Sequence, residues 1–176
     1  MIHLAAQPGV RISPNNYQKY IDNNLSAFLS VCSLVSDTNT TKFLYASSSS
    51  VYGKNSVYPF SESKINPVPS SFYGYSKLLD EIIAKDFFEK KKHIAHLGLR
   101  FFTVYGEFGR PDMFYFKLAA HLLFGVPLTL FGDGYVKRDF TYVNDVVKAI
   151  SLILLNLEVI CVETNVLNIG GGSVSY

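Results

Sequence analysis

Tyr73 and Lys77 stand four residues apart in the run Tyr73-Gly74-Tyr75-Ser76-Lys77, a spacing that puts both on one face of a helix, one turn apart. An ammonium beside a phenol favours the phenolate. A free tyrosine ionises only near pH ~10, so neighbouring positive charge is what makes such a phenol a proton acceptor near neutrality, and the pair reads as a general base. The run Ser47-Ser48-Ser49-Ser50 lies about 25 residues upstream and supplies hydroxyls, Ser48 among them, able to bridge the tyrosine to a substrate oxygen. The spacing by itself is weak, because 12 tyrosines in 176 residues make a chance Tyr-x-x-x-Lys pair expected. The plain alternative is a buried tyrosine beside a surface lysine on an ordinary amphipathic helix. Order carries the reading: a hydroxyl cluster closes a strand, and a helix opens on the tyrosine.

These side chains need elements that bring them together. Ile2 to Ala6 is a short apolar run ending in small residues, as expected of a buried parallel strand whose carboxyl end lets a ligand approach. Pro14 can open a helix, and Tyr17, Ile21, Leu25, Phe28, Cys32 and Val35 recur as one apolar stripe. Lys42 to Ala46 predicts the next strand; Ser47 to Ser50 close it, and a polar, proline-bearing loop follows to Ser71. From Tyr73 the period is helical again, placing Leu78, Leu79, Ile82, Ile83 and Phe87 inside and Asp80, Glu81, Lys85 and Glu89 outside. Ile94 to Phe102 predicts a strand ending in Thr103. A helix over about 112–124, a short strand from Leu128 to Phe131, a turn at Gly132-Asp133-Gly134, an extended piece from Asp139 to Tyr142 and a helix from Asn144 to Asn156 follow. Strands alternating with helices predict an α/β fold with a parallel sheet.

In this order the segments Ala46-Ser47-Ser48-Ser49-Ser50-Val51-Tyr52-Gly53, Tyr73-Gly74-Tyr75-Ser76-Lys77 and Leu99-Arg100-Phe101-Phe102-Thr103-Val104-Tyr105-Gly106 resemble the extended short-chain dehydrogenase/reductase family and its NAD-dependent epimerase/dehydratase branch. With Gly109-Arg110-Pro111-Asp112-Met113 and Lys137-Arg138-Asp139-Phe140-Thr141-Tyr142 they look most like UDP-glucuronate 4-epimerases, and the resemblance runs from His3 to about Gly171. It implies that residues 1–102 are the C-terminal part of a Rossmann-like NAD-binding domain and that residues 103–176 carry part of the small substrate-binding lobe. It implies NAD as cofactor, a UDP-sugar as substrate, a homodimer in the complete family member and a part in polysaccharide biosynthesis; a cytoplasmic setting is expected from the two lone cysteines, Cys32 and Cys161.

Residue by residue, the resemblance makes Tyr73 the base and has Lys77 bond the nicotinamide ribose while lowering the tyrosine's pKa. Ser48, four residues before Tyr52, shares the proton path. Ala5 and Ala6 would let the cofactor approach closely, although small residues in a packed strand look the same. Ser49 and Ser50 stand where 4,6-dehydratases resemble an Asp-Glu pair, and UDP-glucuronate decarboxylases tend to have Glu at the position of Ser50. Hydroxyls there cannot perform the acid-base work of elimination near neutral pH and suit simple oxidation at carbon 4, unless they merely finish a strand in a tight turn. By the same resemblance Arg138 would bind the UDP pyrophosphate, Thr103 would face the sugar or phosphate, and Arg110 would lie near the nucleotide or the uronate. The alternative for either arginine is a surface salt bridge to Asp112 or Asp139. Arg100 is expected to pack beneath the site.

Against the resemblance, no Gly-x-x-Gly-x-x-Gly turn opens the chain, and the dense run Gly170-Gly171-Gly172 has no helix after it. The expectation is therefore a chain truncated at both ends, unable to hold NAD alone, with an inactive remnant or a non-catalytic interaction module as the competing reading. Charged residues at 17% and aromatics at 15% suit a piece whose apolar surfaces are covered by further segments. A net charge of +2 is too small to imply nucleic acid or an anionic membrane. The apolar stretches stay below about 18 residues, so no membrane span is expected. His3, His93, His96 and His121 lack ligand spacing, so no metal is expected, and two lone cysteines, Cys32 and Cys161, fit reduced thiols.

Overall fold

The computed structural model describes residues 1–11, 13–53, 59–63, 68–130 and 138–172. They form two compact units, one of Met1–Phe101 with Ser151–Ile169, the other of Phe102–Ile150 with Gly170–Tyr176. The expected strand Leu128–Phe131 is not formed over Leu128 to Leu130; Phe131 and the Gly132-Asp133-Gly134 turn lie outside the described residues.

The first unit is built on four parallel strands in the order β1-β2-β3-β6: β1 (Ile2–His3), β2 (Lys42–Ser48), β3 (Ala95–Phe101) and β6 (Val166–Ile169). Register pairs Ile2 with Leu44, Leu44 with Leu97, Ser48 with Phe101 and Leu99 with Leu167. Phe43, Leu44 and Tyr45 are all buried, the continuous burial of a parallel strand covered on both faces. β1 is shorter than its apolar run predicts, and Ala5 and Ala6 follow it rather than end it.

Between β1 and β2 the chain runs through α1 (Tyr17–Tyr20), a π-helical stretch (Ile21–Ser26) and α2 (Ala27–Asp37). Phe28, Cys32 and Val35 of α2 pack with Phe43 and Tyr45 of β2, with Ile94, and with Ala84 and Phe88 of α3 (Phe72–Phe88) in one buried cluster. Ser71 caps α3: its backbone is extended, at φ −146° and ψ 154°, and its hydroxyl accepts from the Gly74 amide at 3.1 Å.

α3 is rotated from the phase that its apolar residues predict. Gly74, Ser76, Lys77, Asp80, Glu81, Ala84 and Phe88 are its buried residues, while Tyr75, Leu79 and Ile82 are exposed. The inner stripe is polar over its first half because those side chains find partners on α3 and on neighbouring elements, as described below, and this overrides the ordinary rule of apolar faces inward.

In the second unit β4 (Thr103–Tyr105) pairs in parallel with β5 (Phe140–Tyr142), Thr103 opposite Phe140 and Tyr105 opposite Tyr142. α4 (Phe114–Phe124) ends on Gly125 in the left-handed region, φ 67°, the usual glycine stop. α5 (Val143–Glu163) begins in this unit and ends in the first, running seven residues beyond the Asn156 end that its sequence suggests. In the first unit Leu157 of α5 is fully buried, and Cys161 donates to the His96 carbonyl of β3.

Candidate active site

β2 delivers the serine run to the carboxyl edge of the sheet. Ser48 is its last residue, 8% exposed, and its hydroxyl accepts from the Ser50 amide at 3.2 Å, closing the strand into a short 3-10 turn over Ser49–Val51. Ser49 and Ser50 are half-buried in that turn. The opening of α3 presses against it: a Cβ at Gly74 would meet the Ser50 carbonyl oxygen at 2.6 Å and the Pro69 Cβ at 2.9 Å. Only glycine lets the helix carrying Tyr73 approach the turn carrying Ser48 this closely. Tyr73 is half-buried, and its ring meets that of Tyr20 edge-on at 6.2 Å.

A buried hydrogen-bond chain ties the loop after β1 to the same helix turn. Asn24, in the π-helical stretch and 2% exposed, accepts from the Gln7 amide at 2.7 Å and donates to the Gln7 carbonyl at 3.2 Å and to the Ser76 hydroxyl at 2.9 Å. Ser76 in turn donates to the Tyr73 carbonyl at 2.8 Å. Tyr20 donates to the carbonyls of Pro8 and Gly9. The loop bearing Ala5, exposed, and Ala6, half-buried, is thereby fixed relative to Tyr73. Asn24 was missed in the sequence, although an asparagine inside an apolar helical stripe, where its side chain competes with the backbone, is a usable signal, and π-helical segments concentrate at functional positions.

Below the serine turn lies a second buried network. Arg100 of β3 forks onto Glu81 of α3, Nε to Oε1 at 2.8 Å and Nη2 to Oε2 at 2.7 Å, and its Nη1 donates to the Tyr52 hydroxyl at 3.0 Å. Ser47 donates to Glu81, and Tyr52 donates to Asn168 of β6 at 2.7 Å. Glu62 accepts from the Asn168 amide at 2.8 Å. Arg100 also lies 4.9 Å from the Tyr52 ring centroid. Two donors on one planar guanidinium match two carboxylate oxygens, so α3, β2 and β3 are locked together within a residue of Ser48.

Lys77 is 3% exposed and its ammonium lies 3.0 Å from Oδ2 of Asp80, itself 1% exposed. Burial pushes the Asp80 carboxyl up to about 7, against the pull of Lys77 and with the charge of Glu81 adding to the rise. Among the described residues Asp80 Oδ1 has no hydrogen-bond partner. The His3 imidazole of β1 is held below its ordinary value by burial and by the charge of Lys77.

In the second unit Thr103 opens β4, its amide donating to the Asp139 carbonyl at 3.1 Å. Arg110 makes a two-point salt bridge to Asp112, Nε to Oδ1 at 3.0 Å and Nη2 to Oδ2 at 2.9 Å, on the surface. That is the plain alternative weighed for it. Arg138 is exposed just before β5, and Asp139 accepts from the Gly171 amide at 2.8 Å. Thus Ser48, Ser49, Ser50, Tyr73, Lys77 and the Ala5–Ala6 loop gather in the first unit, whereas Thr103, Arg110 and Arg138 stand in the second. Among the described residues no group of three or more His, Cys, Asp or Glu could hold a metal ion, and no helix is long and apolar enough to cross a membrane.

Residues 1–170 match the NAD dependent epimerase/dehydratase family. The chain belongs to that family. It is 44% identical over 150 residues to the uncharacterized protein MJ1055 of Methanocaldococcus jannaschii, covering 85% of this chain and 46% of that protein. It is 43% identical over 155 residues to UDP-glucuronate 4-epimerase 5 of Arabidopsis thaliana, covering 84% and 35%. Among solved structures, the UDP-glucuronic acid 4-epimerase of Bacillus cereus in complex with UDP-glucuronic acid and NAD superposes with a TM-score of 0.84 at 36% identity, covering 97% of this chain and 53% of that one. The chain thus spans about half the length of these relatives or less. Within the family's fold, the turn at Ser48 and the helix at Tyr73 meet at the carboxyl edge of a parallel sheet, the usual location of a ligand crevice in such sheets.

Proposed function

We propose that the protein is the catalytic part of an NAD-dependent nucleotide-sugar 4-epimerase of the UDP-glucuronate type. The reading is carried by one juxtaposition: a hydroxyl turn and a Tyr-x-x-x-Lys helix in contact through Gly74 at the carboxyl edge of a parallel sheet. It is supported by 43% identity to a plant UDP-glucuronate 4-epimerase.

The described residues fit the nicotinamide half of NAD. Ala5 and Ala6 present only methyl groups after β1, and Lys77 is close enough to β1 to act on His3. Lys77 would bond the ribose, with Ala5 and Ala6 leaving room for the ring. When bound, NAD would supply the acceptor and donor of the carbon-4 hydride, with return to the opposite face of the sugar giving the epimer. Tyr73 removes the carbon-4 hydroxyl proton and restores it, Ser48 bridges phenol and sugar oxygen, and Lys77 stabilises the phenolate. Ser49 and Ser50, lacking an acid-base pair, leave elimination without its catalyst. Thr103, Arg110 and Arg138 take the UDP-sugar; Arg110 then exchanges its exposed bridge to Asp112, worth little in water, for phosphate or carboxylate. Two free thiols, Cys32 and Cys161, suit a reducing cytoplasm. The exposed Tyr75, Leu79 and Ile82 of α3, spaced i, i+4, i+7, suit pairing with a second copy about a two-fold axis.

The test is a version of the protein extended to the length of its relatives, given NAD and UDP-glucuronate and followed by chromatography. The carbon-4 epimer is the expected product. UDP-xylose as the main product, or no turnover from a folded protein that binds NAD, overturns the reading.

A further inference from the structure

Two lysine–aspartate pairs three residues apart differ in kind. Lys148 and Asp145 sit 3.6 Å apart with 76% and 65% of their side chains exposed, an arrangement of little consequence in water. Lys77 and Asp80 sit 3.0 Å apart at 3% and 1%, where taking two charges out of water costs more than their attraction readily returns. Among the described residues, one oxygen of Asp80 has no partner. A helix that needed only packing here would carry an apolar residue.

We propose that Asp80 is a positioning residue for Lys77: it fixes the ammonium from the buried face of α3 and tempers the positive charge that Lys77 presents to Tyr73, one turn away. This rests on the reading of Tyr73 as a base and Lys77 as its activating cation. The groups around the pair leave Asp80 as the counter-charge. Glu81, next to it on α3, is engaged by Arg100 of β3. Cys32 of α2 and Tyr45 of β2 face the carboxyl, and burial with the Asp80 charge pushes both upward, so they stay neutral. His3 of β1 faces Lys77 and is held low, hence uncharged near neutrality. An ionised Asp80 makes the pair neutral; a protonated one leaves a full positive charge beside the phenol. Desolvation puts the carboxyl near the middle of that exchange at neutral pH.

The test uses this chain, labelled with 13C at aspartate Cγ and tyrosine Cζ, and titrated by NMR as the parent protein and as Asp80→Asn and Lys77→Met. Tyr73→Phe assigns the Tyr73 resonance. The parent Asp80 should titrate well above the ordinary carboxylate range, and higher still in Lys77→Met. Asp80→Asn, close in shape, should lower the Tyr73 midpoint by roughly half to one unit, a three- to tenfold change in its ionisation constant. An Asp80 midpoint in the ordinary range, or one unmoved by Lys77→Met, overturns the proposal, as does a Tyr73 midpoint unmoved by Asp80→Asn. Should Asp80→Asn not fold, the parent and Lys77→Met midpoints decide. No turnover is measured, so a failed epimerase assay and a failed titration are separate results.

Discussion

Replacing Arg100 by methionine tests whether the network under the serine turn is what holds the candidate site together. Arg100 and Glu81 are 2% and 8% exposed, so solvent screens neither charge, and three guanidinium donors are engaged at 2.7 to 3.0 Å. Arg100→Met fills much of the same volume but leaves the buried Glu81 carboxylate without its ion pair and, among the described residues, with Ser47 as its remaining side-chain donor. Breaking a buried pair from one side costs about 3–5 kcal/mol, a fifth or more of the ~5–15 kcal/mol that keeps a domain folded. With a urea dependence of about 2 kcal/mol per molar, the unfolding midpoint followed by circular dichroism should fall by ~1.5–2.5 M. The double variant Arg100→Met with Glu81→Leu removes both charges and should recover most of that loss, giving a coupling of a few kcal/mol. A loss below about 1 kcal/mol in the single variant, or strict additivity in the double one, would refute the account of this network.

Tyr73→Phe in the extended enzyme should lower turnover by about two to four orders of magnitude, the usual share of a positioned proton transfer, with the thermal unfolding curve unchanged; near-normal turnover removes Tyr73 as the base. Asp80 gives a pH signature. Its folded pKa, raised to about 7, exceeds the ~3.9 of an unfolded aspartate, so its contribution to stability is complete below about pH 4 and is lost as pH rises through 7. The parent should therefore lose stability relative to Asp80→Asn between about pH 4 and 7 in denaturant titrations, and a pH-independent difference contradicts the burial argument. Leu79→Glu, at an exposed position on α3, should convert a dimer to monomer in light scattering without unfolding it, whereas a dimer that survives it does not use this face.

The apolar runs at Lys42–Ala46 and Ile94–Phe102 predicted β2 and β3 closely because a parallel strand covered on both faces is apolar at nearly every position. The order of the serine run, the tyrosine and the lysine was equally visible, since it depends on sequence alone. Neither the π-helical stretch nor the role of Asn24 was, because both are decided by partners, Gln7 and Ser76, that come from other elements. The strand expected at Leu128 rested on three apolar residues, Leu128, Leu130 and Phe131, interrupted by Thr129, a run too short by itself to distinguish strand from loop. Arg110 matched a binding motif, but with a carboxylate two residues away it folds back on Asp112.

The error at α3 teaches most. Leu79 and Ile82 were expected inside and Asp80 and Glu81 outside, and the structure reverses them. Hydrophobic periodicity locates the wider apolar stripe of a helix, which is the core-facing one only when nothing else needs covering. On the first half of α3 the inward face is occupied by groups that require partners, Ser76 by Asn24, Lys77 by Asp80 and Glu81 by Arg100, which leaves Leu79 and Ile82 toward solvent, while Ile83 and Phe87 pack against the core as expected. α3 thus carries two stripes, one of interlocked polar groups and one with exposed Tyr75, Leu79 and Ile82. The four-residue spacing from Tyr73 to Lys77 and again from Lys77 to Glu81 continues along one face, so reading onward from the Tyr73–Lys77 pair, rather than from the leucines, would have fixed the phase of the helix from sequence alone.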